Sequence, residues 1–135
     1  MKTLVLTFLS LFVIIFISCE IGGNEAIVDS PQDTLIPYLS FTVDTTYLDT
    51  SLKELVARGT VTNNGNVKIT SPWYVEGQFY TTKNGNIKLG GNYTQIGVPL
   101  GAKQATYWSL YFSSSNVDVR NYPDFGVKDL RGIYK

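Results

Sequence analysis

The sequence predicts an all-β protein, an immunoglobulin-like β-sandwich of six to seven mostly antiparallel strands, and three observations predict it. Hydrophobicity alternates with a period of two in separate runs, the spacing of a sheet with one buried face. Leu55, Ala57, Gly59 and Val61 alternate with Val56, Arg58, Thr60 and Thr62; Trp73, Val75, Gly77 and Phe79 alternate with Tyr74, Glu76, Gln78 and Tyr80. Turn signals rich in Asn, Gly and Pro punctuate those runs at short intervals. The composition, with 9 Tyr, 7 Phe, 12 Gly and only 16% charged residues, suits strands rather than coiled coil or disorder. A length of 135 residues suits one domain, and a formal charge of zero leaves no basic footprint for nucleic acid.

A leader precedes the strands. Met1, Lys2 and Thr3 make a short positive start, and residues 4–17 form an almost unbroken apolar run ending at Ser18 and Cys19. That is the layout of an export signal. At 14 residues the run falls short of the roughly 20 that a membrane-spanning helix needs. The tetrad Phe16, Ile17, Ser18, Cys19 resembles the lipobox of bacterial lipoproteins, with Phe16 where that pattern usually has Leu. The resemblance implies a signal peptide over residues 1–18 and a diacylglycerol on Cys19, which becomes the new amino terminus. It implies an exported protein held to a bacterial membrane, on its periplasmic or cell-surface side. Attachment of this kind is firm, because each buried CH₂ contributes about 0.8 kcal/mol and two chains are anchored together. Cys19 is the only cysteine, so the domain has no internal disulfide. Residues 20–36, with a Gly pair, Pro31 and four acidic residues, keep no period and read as a tether. The lipidated terminus and tether thus occupy residues 19–36, and the sandwich residues 37–135.

The first strand carries Leu39, Phe41 and Val43 in alternation and ends near Tyr47, with residues 48–51 as its turn. The second, residues 55–62, runs into Asn63, Asn64, Gly65 and Asn66, which tolerate the positive φ of a tight hairpin. Residues 67–70 pair briefly before Pro72. The third strand runs to about Thr82, and Lys83, Asn84, Gly85 and Asn86 repeat the turn chemistry before a fourth strand with Ile87, Leu89 and Tyr93. Two such turns predict a meander. The likeness of residues 63–69 to 83–89 reflects shared turn chemistry, since a repeat stack needs at least about three units. After Pro99, Leu100 and Gly101, a fifth strand points Thr106, Trp108, Leu110 and Phe112 inward and Tyr107, Ser109 and Tyr111 outward. Val117 and Val119 mark a sixth, interrupted by Pro123. In the last, residues 125–134, Phe125, Val127 and Ile133 share one parity and Leu130 and Tyr134 the other, which calls for a bulge.

Gly59, Thr60, Val61, Asn63 and Gly65, followed by a strand ending in Phe79 and Tyr80, resemble the FxLYD domain over residues 55–135. The name motif falls on Gly77, Gln78, Phe79, Tyr80 and Thr81, where Tyr80 is kept, Phe79 is conservative, and Gly77 and Thr81 differ. The resemblance implies an immunoglobulin-like sandwich in an exported prokaryotic protein and brings no activity with it. The space left by Gly77 is expected to be filled by an aromatic neighbour, Trp108.

The search for chemistry returns mostly absences. The chain has no His, which removes the commonest general base, the imidazole metal ligand and every triad built on it. Acylation of Cys19 leaves no thiol nucleophile, and Gly90 and Gly91 precede no helix that would make a phosphate loop. A carboxylate-only hydrolase would need a pair among Glu54, Glu76, Asp118, Asp124 and Asp129, and nothing singles one out. Calcium between Asp44 and Asp49, or between Asp118 and Asp124, matches no recognised loop. The sequon Asn92, Tyr93, Thr94 reads as chance. No catalytic residue, cofactor or metal site is therefore expected.

The surface lead is aromatic. Tyr74, Tyr80, Tyr107 and Tyr111 point outward, and such tyrosines stack on sugars, anchor protein contacts, or simply line solvated sheets as cross-strand pairs. If the third and fifth strands lie in opposite sheets, the four split into two pairs. The expectation is a non-enzymatic, lipid-anchored cell-envelope module with an accessory, structural or protein-interaction role. The alternative is a carbohydrate-binding module using exposed tyrosines. Expected partners are the membrane, through the lipid, and an envelope protein or glycan, with no nucleic acid and no small-molecule cofactor.

Overall fold

The structure, a computed structural model, describes residues 33–135; the expected signal peptide, Cys19 and the expected tether up to residue 32 lie outside the described residues. Strands β1 (Thr34–Ile36), β2 (Leu39–Asp49), β3 (Glu54–Asn63), β4 (Trp73–Tyr80), β5 (Lys88–Ile96), β6 (Ala105–Phe112) and β7 (Gly126–Tyr134) form an all-β sandwich. A four-stranded sheet, β1-β7-β4-β5, faces a three-stranded one, β2-β3-β6. Every pairing is antiparallel. The chain changes sheet between β1 and β2, between β3 and β4, between β5 and β6 and between β6 and β7, the crossing connectivity of an immunoglobulin-like sandwich. Among the described residues no helix is long and apolar enough to cross a membrane.

The alternation is realised most cleanly in β4, where Trp73, Val75 and Phe79 are fully buried while Tyr74, Glu76, Gln78 and Tyr80 are half-buried on the other face. They meet Leu55, Ala57 and Val61 of β3 and Trp108, Leu110 and Phe112 of β6 in one core. Phe79 lies between Phe112 and Phe125, with ring centroids 5.2 and 5.8 Å away. Each such side chain contributes roughly 1.5–3 kcal/mol by leaving water, so the two sheets are held face to face by this layer. The Trp73 indole N–H donates to the Val98 carbonyl at 3.0 Å, which satisfies the polar atom of a fully buried ring.

Several local expectations are corrected. Residues 34–36 belong to the domain and not to the tether: β1 pairs with β7 through Thr34 and Tyr134, Leu35 and Ile133, and Ile36 and Gly132, and Ile36 is buried. The first long strand reaches Asp49 because a bulge at Asp44 shifts its register against β3 between Val43 and Thr45. The bulge reverses parity, so Leu48 packs on the core and Tyr47 turns outward. The run at Asn63 to Asn66 is no hairpin. It carries the chain from one sheet to the other, so of the two Asn- and Gly-rich runs only the second closes a hairpin, between β4 and β5, and the expected meander through both is not formed. The brief pairing expected next is one bridge, Ile69 with Leu100. The sixth strand is absent: Val119–Asn121 is a 3₁₀ turn capped by Asp118, and only Val119 is buried there. The last strand has its bulge, since Asp129 and Leu130 together oppose Gly77 and Asp129 has φ 54°. Phe125, Val127 and Leu130 therefore reach the core, and Ile133 lies on the outer face.

The space over Gly77 is filled by Leu110, Leu130 and Val127, not by Trp108. The Trp108 ring lies instead against Gly59, where an added Cβ would stand 2.6 Å from it.

The strands run between two ends. The entry end carries residue 33, the connection 64–72 and the loop 97–104; the far end carries turns 50–53, 81–87 and 113–125.

Candidate functional site

The outer face of the three-stranded sheet carries the most exposed aromatic side chain among the described residues, Tyr107. Register places Tyr47, Val56 and Tyr111 in one row across β2, β3 and β6, and Thr42, Thr60 and Tyr107 in another. Tyr107 is 81% exposed, Tyr111 41% and Tyr47 36%, whereas Val56 between the flanking rings is only 1% exposed. The Arg58 guanidinium lies 5.5 Å from the Tyr47 ring centroid, within cation–π range. Asp44 at the bulge accepts hydrogen bonds from the Thr42 hydroxyl at 2.8 Å and the Thr60 hydroxyl at 3.0 Å, which fixes the floor beside Tyr107. Among the described residues the Tyr107 and Tyr111 hydroxyls have no hydrogen-bond partner.

The tyrosines of the four-stranded sheet are engaged within the molecule. Tyr74 meets Tyr93 edge-on, with centroids 5.8 Å apart and planes at 81°, and the Lys135 ammonium lies 3.5 Å from the Tyr93 centroid. The Tyr80 hydroxyl donates to the Asp129 carboxylate, and Lys128 sits 4.9 Å from its ring. That hydrogen bond, with lesser help from burial and the carboxylate charge, raises the Tyr80 phenol above its ordinary value. The four tyrosines therefore fall in two pairs on opposite sheets, and no single platform joins them. Sequence reasoning missed Tyr47 and Arg58: the Asp44 bulge decides where Tyr47 points, and period alone does not reveal it.

Among the described residues the carboxylates of Asp44, Asp49, Glu76, Asp118 and Asp129 are occupied locally. Arg131 pairs with Glu76 at 2.7 Å and Arg120 with Asp118 at 2.7 Å. Asp49 accepts from the hydroxyl and N–H of Ser51 and from the N–H of Leu52. The Arg120 side chain, followed by its backbone N–H, holds the Asp118 carboxyl at about 2, below the ordinary 3.8. The Ser51 hydroxyl is the main cause of a lowered value at Asp49. Among the described residues no group of three or more His, Cys, Asp or Glu is placed to hold a metal. The Asn92 amide donates to the Tyr111 carbonyl, tying β5 to the edge of β6.

At the entry end one polar side chain is buried, and it organises the loops. Asn63 is 2% exposed. Its amide N–H groups donate to the carbonyls of Val67 at 2.8 Å and of Leu100 and Gly101 at 3.2 Å, and its oxygen accepts from the Gly65 N–H at 2.9 Å. A cleft of about 680 Å³ opens beside it, lined by Leu35, Tyr38, Val67 and Lys68 among others. Comparison of the chain with protein-family models, with curated proteins and with solved structures finds no match.

Proposed function

We propose that the protein is a non-enzymatic, lipid-anchored cell-envelope module that offers the outer face of its three-stranded sheet to another envelope protein. The observation that carries the reading is Tyr107, 81% exposed, with no bonded partner among the described residues, beside Tyr111, Tyr47 and Arg58. Tyr and Arg are the residue types that dominate protein-contact energetics, because they bring large area and polar tips at small entropic cost. The anchor rests on the leader and on Ser18 and Cys19, and the FxLYD-like segment supplies the scaffold on which the face is built. A glycan platform is the weaker reading, since it needs coplanar rings side by side, whereas Val56 separates Tyr47 from Tyr111 in their row and Tyr74 and Tyr93 of the other sheet stand at 81°.

Two measurements test the two halves. Detergent-phase partition of the native chain against Cys19→Ser is expected to move the protein from the detergent phase to water; a variant that stays with the detergent removes the anchor. Capture from native envelope with mass spectrometry is expected to lose its specific partner with Tyr107→Ala plus Arg58→Ala, at a cost of about 2 kcal/mol or more, roughly thirty-fold. Unchanged capture removes the face. Glycan-array binding that disappears with the same substitutions would favour the sugar reading instead.

A further inference from the structure

Three large apolar side chains stand in water where the chain enters the domain: Leu35 is 61% exposed, Tyr38 74% and Val67 78%. All three line the entry-end cleft, so they form one patch and not scattered exposures. Tyr38 is set outward by a left-handed backbone, φ 62°, which residues other than glycine seldom adopt. Asn63, bonded to both neighbouring loops, fixes the wall that carries Val67. Lys68 lines the same cleft, the Lys103 ammonium is bonded to the Asn64 carbonyl beside it, and no carboxylate lines it. The far end differs, because its exposed Leu52 and Ile87 lie apart in two separate turns, 50–53 and 81–87, with Leu52 between Asp49 and Glu54.

Apolar and aromatic tips with Lys68 among them, Lys103 beside them and no carboxylate in the cleft lining, Asp33 standing just outside it before β1, match the boundary of an anionic bilayer, where tips enter the acyl edge and ammonium groups meet phosphates. The position of the chain points the same way. Residues 20–33, 14 in number and four of them acidic, lead from Cys19 to β1 and span at most about 50 Å, and they reach the domain at this end.

We propose that the entry end, through Leu35, Tyr38 and Val67 with Lys68 and Lys103, rests on an anionic bilayer surface; the inference stands on the lipid anchor at Cys19 proposed above. Each lysine favours the contacting over the free domain by a factor of roughly five, and that part fades as salt shortens the reach of charge to about 10 Å or less.

The test uses the mature lipidated chain in vesicles of phosphatidylethanolamine with phosphatidylglycerol. Because Cys19 is acylated and no other cysteine exists, Val67→Cys and, separately, Leu52→Cys each provide one thiol for an environment-sensitive dye. Flotation reports the anchor, and quenching by nitroxide-labelled lipid reports contact. The expected result is a floating chain whose dye is quenched at position 67 and not at 52. Lys68→Gln and Lys103→Gln should each lower the ratio of quenched to unquenched dye at position 67 about fivefold. A floating chain with both dyes in water, or both equally quenched, overturns the proposal and leaves the anchor standing. Equal quenching at position 67 in vesicles of phosphatidylcholine alone overturns its anionic character. A chain that does not float overturns anchor and contact together.

Discussion

Asn63→Ala is the perturbation that separates a buried organiser from an ordinary turn asparagine. The amide supplies two N–H groups to three carbonyls and one oxygen to the Gly65 N–H. Two of those carbonyls have other donors: Leu100 accepts from the Ile69 N–H at 2.9 Å and Gly101 from the Gln104 N–H at 3.2 Å. Truncation therefore strands chiefly the Val67 carbonyl and the Gly65 N–H. At roughly 1–3 kcal/mol per stranded group, reduced for partial access to water, the expected loss is about 2–4 kcal/mol. For a domain of about 100 residues this lowers the unfolding midpoint by roughly 10–20 °C. Urea titration followed by tryptophan emission is the assay, since Trp73 and Trp108 are both buried and redden on exposure. Asn66→Ala is the control, because that side chain makes no hydrogen bond among the described residues, and it should stay within about 0.5 kcal/mol. Asn63→Asp should be worse than Ala at neutral pH, because a carboxylate would face three carbonyls. The introduced carboxyl is then easier to protonate when folded, so this variant should recover as pH falls. Equal midpoints for Asn63→Ala and Asn66→Ala would refute the reasoning.

Two further outcomes follow from close approach and from charge. A Cβ at Gly59 would stand 1.8 Å from the Thr42 carbonyl oxygen and 2.6 Å from the Trp108 ring. Gly59→Ala should therefore cost about 3 kcal/mol and redden Trp108 emission, whereas Gly97→Ala, with nothing within 4 Å, should be close to neutral. Similar stabilities for the two would show that β2 and Trp108 yield freely. The Asp118 carboxyl sits at about 2 in the folded protein against an ordinary 3.8, so its contribution is present above about pH 4 and is lost as pH falls through 2. Asp118→Asn should flatten the acid limb of a stability-against-pH curve in that window, and an unaltered slope would show that the Arg120 pair has no effect on folding.

Much of the sandwich was legible because its core strands obey period two without interruption, as β4 does from Trp73 to Tyr80. What escaped turns on single residues that break the period. Asp44 reverses the facing of β2, and Asp129 that of β7, each by one unpaired position. A bulge in β7 could be inferred because its apolar residues contradicted one another, whereas in β2 the polar Thr45 and Thr46 hid the switch. The two similar turn runs show why chemistry alone does not fix topology. Asn63 holds the inward parity of Val61, where an amide can be buried if its hydrogen bonds are met, and the chain folds around it into the opposite sheet. At the matching place in the second run stands Lys83, and that run closes a hairpin through the Thr81 N–H and the Ile87 carbonyl at 2.9 Å.

The two proposed surfaces constrain each other. β6 starts at the entry end, and at about 3.3 Å per residue Tyr107 lies roughly 7 Å and Tyr111 roughly 20 Å along it. If the entry end rests on lipid, the strands rise from the membrane and the Tyr107 face looks sideways along it. A partner reaching Tyr107 must then itself lie close to the bilayer, which favours another membrane-associated protein over a large soluble one. The same geometry makes the tether consequential. Shortening residues 20–33 should leave membrane contact intact while the domain can still turn its entry end down, whereas a chain too short for that turn would lose both contact and partner.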